Sequence, residues 1–164
     1  MAVSIEDIKK LRNMTGAGLS DCKNALNEAE GNLEAAIELI RKRGQAIAAK
    51  RSDREAAEGC VLVKVDGNFG VICALKCETD FVAKNELFQT FVKDVAAVVI
   101  EQNPADVDAL LACKMGNDTV EAALKDKILV IGENIKIRRF VRYEGVCSAY
   151  IHAGGTHAVL VNFE

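Results

Sequence analysis

The period of the apolar residues changes near residue 60, and this change restricts the fold more than any other feature of the sequence. Upstream of it, apolar residues recur at helical spacing. Downstream, every second residue is apolar at positions 61–65 and again at 69–77. Asp66, Gly67 and Asn68, which lie between these two runs, are turn-forming residues. The pattern predicts a β-hairpin that follows a helical N-terminal segment.

The N-terminal segment is predicted to form three short helices. Ser4 is a favourable cap for the first helix, which is interrupted by the glycines in residues 15–18. A second apolar stripe covers residues 19–29, and Asn32 is a suitable cap for a third helix that ends at Gly44. Helices this short are unstable alone, so we expect them to pack together as a compact bundle.

Helical spacing returns after the hairpin. A long amphipathic helix around residues 88–99 must end before Pro104. Asn103 as a cap, with Pro104 at the first helical position, predicts the start of a further helix. Asp118 predicts the start of a third one, which ends at Gly132.

The C-terminal part of the chain again has strand spacing. A strand begins near residues 135–137, and the two consecutive polar residues Arg138 and Arg139 predict a β-bulge. Two more strands are predicted at residues 149–152 and 157–163, joined by a glycine-containing turn. This order of elements predicts an α+β fold, in which an N-terminal three-helix bundle precedes an antiparallel sheet packed with helices.

Composition argues against several classes of protein. The net charge is −3 and the sequence pI is near 5.5, whereas binding to nucleic acid normally requires a basic face. The longest apolar run, residues 95–100, is far shorter than the roughly 20 residues of a membrane-spanning helix. No apolar stretch follows the basic residues at the N-terminus, so we expect no secretory signal and a cytoplasmic protein. We therefore expect neither nucleic acid nor a membrane among its partners.

Catalytic and metal-binding chemistry has little support in the sequence. None of the 6 cysteines belongs to a C-x-x-C pair, and we expect most of them to be small buried apolar residues. A thiol mechanism would need His152 or His157, the only histidines, beside a cysteine such as Cys147. This enzyme hypothesis is the weakest of the alternatives, and we predict no catalytic residue, metal or cofactor. A phosphate-binding G-x-x-x-x-G-K-[ST] loop is also absent.

The segment at residues 78–85 lies where a strand gives way to a helix. Thr79 and Asp80 are good capping residues, so one interpretation is a helix start with Phe81 and Val82 packed inward. The other is that the large aromatic side chain projects into a pocket of a partner and anchors an interface. The residues alone leave both interpretations open.

Four ordered motifs resemble the elongation factor Ts family of bacterial translation factors. The first is LRNMTGAG at residues 11–18, followed by DCKNAL at 21–26. The second is TDFVAKN at residues 79–85. The remaining two are IGENI at residues 131–135 with the arginines at 138 and 139, and YIH at 150–152 followed by VLV at 159–161. Together they extend over nearly the whole chain, in the family's order.

This resemblance implies a fold, a partner and an activity. The N-terminal helices would form a ubiquitin-associated-like domain, and the partner would be elongation factor Tu. The activity would be the acceleration of GDP release, so that GTP can replace GDP. The resemblance also implies sites that contact elongation factor Tu. They are a turn that disturbs the magnesium site (Thr79, Asp80, Phe81, Val82, Lys84, Asn85), a phosphate-loop side (His152, Gly154, Gly155), and contacts from the N-terminal domain (Lys9, Leu11, Leu19, Ser20).

The resemblance also suggests how the chain is divided. Residues 1–45 would form the helical domain, 46–58 a linker helix and 59–144 the first core subdomain. Residues 145–164 would begin a second core subdomain that is incomplete, since long family members continue beyond this point. An unpaired terminal strand favours pairing with a second copy, so a homodimer is a further expectation. The alternative function is an interaction or dimerisation module of the same fold without full exchange activity.

Overall fold

A computed structural model describes residues 3–163 of the chain. They form two compact units, one with residues up to 53 together with 125–132, the other with 54–124 together with the residues from 133 onward. The helices are α1 (Ile5–Thr15), α2 (Leu19–Glu28), α3 (Leu33–Arg51), α4 (Asp80–Ala83), α5 (Glu86–Gln102), α6 (Val107–Ala112) and α7 (Val120–Ile131). The strands are β1 (Glu58–Asp66), β2 (Phe69–Cys77), β3 (Lys114–Met115), β4 (Asp118–Thr119), β5 (Lys136–Glu144), β6 (Val146–His152) and β7 (His157–Phe163).

The first unit contains the three predicted N-terminal helices, packed around a small apolar core. The Ser4 hydroxyl accepts a hydrogen bond of 3.0 Å from the backbone N–H of Asp7, and Gly16 ends α1 in the left-handed conformation. Asn32 caps α3 by accepting a hydrogen bond of 3.1 Å from the N–H of Ala35. The predicted bundle is therefore confirmed. Its buried core is made of Leu11, Ala17, Cys22, Ala25, Leu26, Ala36 and Ile40.

The prediction that the third helix ends at Gly44 is wrong, because α3 continues to Arg51. Gly44 is buried, and a Cβ atom at this position would lie 3.3 Å from Cδ2 of Leu129 in α7. The glycine thus permits two helices to approach closely and does not terminate one. As a result, α3 covers the first part of the predicted linker helix, and residues 52–57 form no regular element.

The second unit contains the predicted β-hairpin within a three-stranded antiparallel sheet of order β1-β2-β5. Strand β2 is central and buries every second residue from Val71 to Cys77. Helix α5 contacts β1 and β2, and buries both of its phenylalanines, Phe88 and Phe91. In β2 every second residue is buried, and in α5 the buried residues recur at helical spacing, as the apolar pattern of the sequence predicted. This confirms the predicted α+β class.

The predicted bulge in the last strand of this sheet is also confirmed. Ala74 of β2 pairs with Arg139, whereas the next residue, Leu75, pairs with Ile137. Arg138 is therefore the extra residue of β5, and both arginines are exposed.

Two predicted helix starts in the second unit are wrong. Asn103 adopts the left-handed conformation, with φ of 45°, and its N–H bonds to the carbonyl of Val99, so it ends α5 and does not begin the next helix. Helix α6 starts only at Val107, where the side chain of Asp106 provides the cap. Asparagine suits both a helix start and a left-handed helix end, and the sequence pattern does not distinguish them.

Asp118 is the second misplaced cap. It pairs with Met115 in the short β3–β4 hairpin, and α7 begins at Val120. Thr119 occupies the capping position, since its hydroxyl accepts a hydrogen bond of 3.2 Å from the N–H of Ala122. The predicted helix is thus present, but it begins after a two-residue strand.

Strands β6 and β7 form the predicted C-terminal hairpin, a separate two-stranded sheet that packs on β1 and β2. Its turn is bonded to β1, because the carbonyl oxygen of Gly155 accepts a hydrogen bond of 2.8 Å from the N–H of Val61. At the other end, a Cβ atom on Gly70 of β2 would lie 2.8 Å from Sγ of Cys147 and from Cδ1 of Leu160. Glycine at residue 70 therefore allows the hairpin to lie directly on the sheet.

Candidate partner-binding site

The turn at residues 79–85 is built from two helix caps in succession. Thr79 is extended, and its hydroxyl accepts a hydrogen bond of 3.3 Å from the N–H of Val82, which starts α4. The side chain of Asn85 then accepts a hydrogen bond of 2.8 Å from the N–H of Leu87 and starts α5. The predicted capped helix start is confirmed. A single helical turn between two caps leaves the backbone little conformational freedom.

Phe81 projects away from this turn and is 82% exposed. The interpretation in which Phe81 packs inward is therefore wrong, although Val82 is half-buried. An aromatic side chain carries about 150–250 Å² of surface, so its exposure on a fixed backbone leaves a large apolar area available to a partner. Of the two interpretations of this segment, the geometry favours an interface anchor.

Asp80 and Lys84 flank Phe81 with a pair of opposite charges. The Nζ atom of Lys84 lies 3.2 Å from Oδ2 of Asp80, one helical turn away, and both side chains are exposed. An exposed pair at this spacing contributes only about 0.3–0.5 kcal/mol to stability. The pair places two opposite charges on the same helical turn as Phe81.

The carboxylate of Glu133, which follows α7, fixes the start of the turn. Its Oε2 atom accepts hydrogen bonds from the backbone N–H groups of Glu78 and Thr79, at 2.9 and 3.0 Å. Its Oε1 atom accepts a hydrogen bond of 2.6 Å from the hydroxyl of Thr79. Hydrogen bonds to a charged acceptor are about twice as strong as neutral ones, so a single side chain restrains this backbone strongly.

A second set of bonds joins the same two segments. The backbone N–H of Asn134 donates a hydrogen bond of 2.7 Å to the carboxylate of Glu78. The Asn134 side chain, which is 2% exposed, donates a bond of 2.7 Å to the carbonyl of Arg54. The guanidinium of Arg54 lies 3.7 Å from the Glu78 carboxylate. Residues 78–79 and 133–134 therefore hold each other in place.

The turn between β6 and β7 carries the predicted phosphate-loop residues. His152 and His157 form the last pair of the hairpin, are exposed, and have ring centroids 6.2 Å apart. The Oη atom of Tyr150 lies 3.1 Å from Nδ1 of His152 and orients this ring. Gly154 is exposed, whereas Gly155 is buried against β1. Gly155 therefore positions the turn and is not itself a contact surface.

The candidate contacts of the N-terminal unit differ in exposure. Lys9 and Ser20 are exposed, and Leu19 is 51% exposed at the first position of α2. Leu11, in contrast, is completely buried in the core of the bundle. Its side chain has no surface to offer a partner, so we assign Leu11 to the packing of the bundle.

Cys147 and His152, the pair considered for a thiol mechanism, lie on opposite faces of β6. Cys147 and His152 are in the same strand, five residues apart, and successive side chains of a strand alternate between its two faces. Burial raises the pKa of the Cys73 thiol to about 12. Burial, together with the charges of Glu133 and Glu58, raises the pKa of Cys77 to about 12. Within residues 3–163, no group of His, Cys, Asp and Glu side chains is arranged to hold a metal ion.

The structural role of Glu133 is the feature that sequence reasoning missed. The IGENI motif indicated only a family resemblance, and Glu133 is 54 residues from Thr79. A local pattern cannot reveal this contact, because the pairing of β2 with β5 is what brings the two segments together.

The sequence of this chain is similar to that of one family of known proteins. The family model described as "Elongation factor TS" matches residues 78–164, which include the turn at residues 79–85 and the β6–β7 hairpin. A protein named elongation factor Ts from Bacteroides thetaiotaomicron is 49% identical over 149 residues, which are 91% of this chain and 45% of the relative. Its counterpart from Porphyromonas gingivalis is 47% identical over 165 residues, 99% of this chain and 60% of the relative.

The fold and the turn define an α+β protein that presents an exposed aromatic residue on a fixed backbone. With the family match, this chain belongs to the elongation factor Ts family of translation elongation factors. It spans about half the length of the curated relatives that it matches. No helix in the described part of the chain is long and apolar enough to cross a membrane.

Proposed function

We propose that this chain is a cytoplasmic, non-enzymatic exchange factor that binds elongation factor Tu and promotes the replacement of GDP by GTP. The observation that carries this proposal is Phe81, 82% exposed on a doubly capped turn. The residues proposed to contact the partner from this turn are Thr79, Asp80, Phe81, Val82, Lys84 and Asn85. The proposed contacts elsewhere are His152 and Gly154 on the hairpin, and Lys9, Leu19 and Ser20 on the bundle.

The turn would act on the partner's magnesium ion indirectly. Magnesium requires nearly ideal octahedral geometry, so a small displacement of its surroundings removes much of its binding energy. A rigid aromatic side chain can impose such a displacement, whereas a mobile one would move away instead. The two caps of the turn supply this rigidity for Phe81.

Thermodynamic linkage sets a requirement on the mechanism. A factor that weakens GDP binding is itself bound more weakly by the GDP complex, and by the same factor. A single coupling amounts to about 1–3 kcal/mol, so the release of a tightly held nucleotide needs more than one contact region. The exposed residues of the hairpin turn, His152 and Gly154, are the proposed second region.

The test is the release of fluorescent GDP from elongation factor Tu, followed by stopped flow with and without the chain. Phe81→Ala should lower the accelerated rate at least about tenfold, as expected for an interface anchor. Val65→Ala is the matched control, because Val65 is 38% exposed and lies at the opposite end of the β1–β2 hairpin. This control should leave the rate unchanged.

Two results would contradict the proposal. If the unmodified chain does not accelerate GDP release, the chain is not an exchange factor at this length. If Phe81→Ala accelerates GDP release as much as the unmodified chain does, the turn is not the contact that causes the release. Binding without acceleration would instead favour the second candidate function, an interaction or dimerisation module.

The second candidate is favoured by one face of the C-terminal hairpin. This surface, which we name the hairpin outer face, is apolar and exposed, with residues between 43% and 68% accessible. It consists of Val146, Tyr150, Val159, Val161 and Phe163. Paired residues of β6 and β7 contribute to it, and a second copy of the chain would cover it in a homodimer.

A further inference from the structure

The bonds of Glu133 are directed at the backbone before Phe81 and not at the exposed residues themselves. One oxygen accepts from two consecutive N–H groups, those of Glu78 and Thr79, and the other accepts from the Thr79 hydroxyl. Both carboxylate oxygens are thus engaged at the first residues of the turn. The Glu133 side chain is half-buried, so water competes less with these bonds than it would at the surface.

We propose that Glu133 is a positioning residue, whose carboxylate holds the turn so that Phe81 points in one fixed direction. The expected effect of Glu133 on GDP release rests on the proposed exchange function. The fixed direction of Phe81 does not depend on that function. Glu133 does not need to touch elongation factor Tu, because it acts through the backbone of residues 78–79.

The hydroxyl of Thr79 links the carboxylate to the helix cap. The Thr79 hydroxyl gives its proton to Glu133 and accepts from the N–H of Val82 with a lone pair. The carboxylate therefore selects the orientation in which the hydroxyl can cap α4. If Glu133 is removed, the hydroxyl can rotate, and two backbone N–H groups lose their acceptor. The single turn of α4 that carries Phe81 then loses its support from the preceding strand.

The first experiment measures the turn without any partner. The chain has no tryptophan, so Phe81→Trp introduces a single fluorescent reporter at the exposed position. Time-resolved anisotropy should show a clear gain in local motion when Glu133→Ala is added to Phe81→Trp. Glu133→Gln should give an intermediate gain, since its amide oxygen can still accept the two N–H groups.

The matched control is Glu101→Ala, in the same Phe81→Trp background. Glu101 is an exposed glutamate near the end of α5, so its removal should leave the anisotropy decay unchanged. Thermal melting of each variant shows whether the fold is retained. If Glu133→Ala does not fold, the anisotropy decay of Glu133→Gln is compared with that of Glu101→Ala. More local motion in Glu133→Gln supports the positioning role, and equal decays overturn it.

The second experiment measures exchange on elongation factor Tu at saturating concentrations of the chain. Glu133→Ala should lower the maximal rate of GDP release about tenfold, as expected from lost bonds to a charged group. In the Phe81→Ala background the same substitution should lower it by a much smaller factor, because Glu133 acts mainly through the direction of Phe81. A purely structural role would reduce the rate by similar factors in both backgrounds.

The outcomes separate the two proposals. An unchanged anisotropy decay in Glu133→Ala would overturn the positioning role, whatever the exchange rates are. Equal losses of exchange in the two backgrounds would also overturn it. Increased motion at residue 81 together with no exchange by the unmodified chain would support the positioning role and refute the exchange function.

Discussion

The backbone N–H of Val61 donates a hydrogen bond of 2.8 Å to the carbonyl oxygen of Gly155, which attaches the turn of the C-terminal hairpin to the first strand of the sheet. Gly155 has φ of 100°, and a Cβ atom there would lie 2.7 Å from Sγ of Cys60 and 3.0 Å from the carbonyl oxygen of Val61. Gly154 has φ of 66° but open space around it. The two consecutive glycines therefore differ in what a side chain would meet.

We predict that Gly155→Ala lowers the free energy of unfolding by about 2–4 kcal/mol, through backbone strain combined with steric overlap. Gly154→Ala, the matched control, adds only the cost of a left-handed alanine, about 1–2 kcal/mol. Urea denaturation measures the free energy of unfolding of both variants. Equal losses for the two variants would show that the contact with β1 is not the cause.

Phe81 and Phe88 provide a second matched pair. Phe81 is 82% exposed, whereas Phe88 is completely buried beneath the sheet. We predict that Phe88→Ala lowers the free energy of unfolding by about 3–5 kcal/mol. Phe81→Ala should change it by no more than about 0.5 kcal/mol, as is usual at the surface. A large loss in Phe81→Ala would mean that this ring packs against the protein, contrary to its proposed role as an anchor.

The buried thiols make the stability of the fold depend on pH in a defined direction. The pKa values of Cys73 and Cys77 are about 12 in the folded chain, compared with an ordinary value of 9.0. Their contribution to stability is therefore complete below about pH 9 and is lost as the pH rises towards 12. We predict that the melting temperature falls between pH 8 and pH 10.5, and that Cys73→Ala combined with Cys77→Ala reduces this fall. An identical fall in melting temperature in the unmodified chain and in the double variant would contradict the prediction.

The hairpin outer face gives a prediction about self-association. If a second copy covers it, Val161→Lys should shift the equilibrium towards monomer, because a charged group would have to be desolvated in the interface. Lys64→Glu changes the charge at an exposed position of β1 and is the control. Light scattering measures the mass of each variant. A monomer at all concentrations of the unmodified chain would exclude the homodimer.

The elements with a clear period or cap could be predicted from the sequence. Alternation at residues 61–65 and 69–77 identified the hairpin, and the two consecutive arginines identified the bulge of β5. Errors occurred where one residue type serves two purposes. Gly44 resembles a helix end but allows close packing, and Asn103 resembles a helix start but ends α5.

The candidate site was predictable only in part, for a similar reason. The local sequence identified Thr79 as a cap, but the direction of Phe81 depends on what surrounds the turn. Likewise, the burial of Leu11 follows from the packing of three helices, and not from its place in a motif. Leu11 follows Ile8 at helical spacing in the sequence, and this spacing was the available signal that it faces the core.

The bond between Glu133 and Thr79 also bears on how the turn comes into being during synthesis. Glu133 lies 54 residues after Thr79 and must leave the ribosome before its carboxylate can reach the hydroxyl, so the turn matures late and depends on the closure of a loop of that length. A synthetic peptide of residues 78–85 would have the residues of the motif without its shape. An inhibitor based on this segment would therefore need an added covalent constraint to replace the missing glutamate.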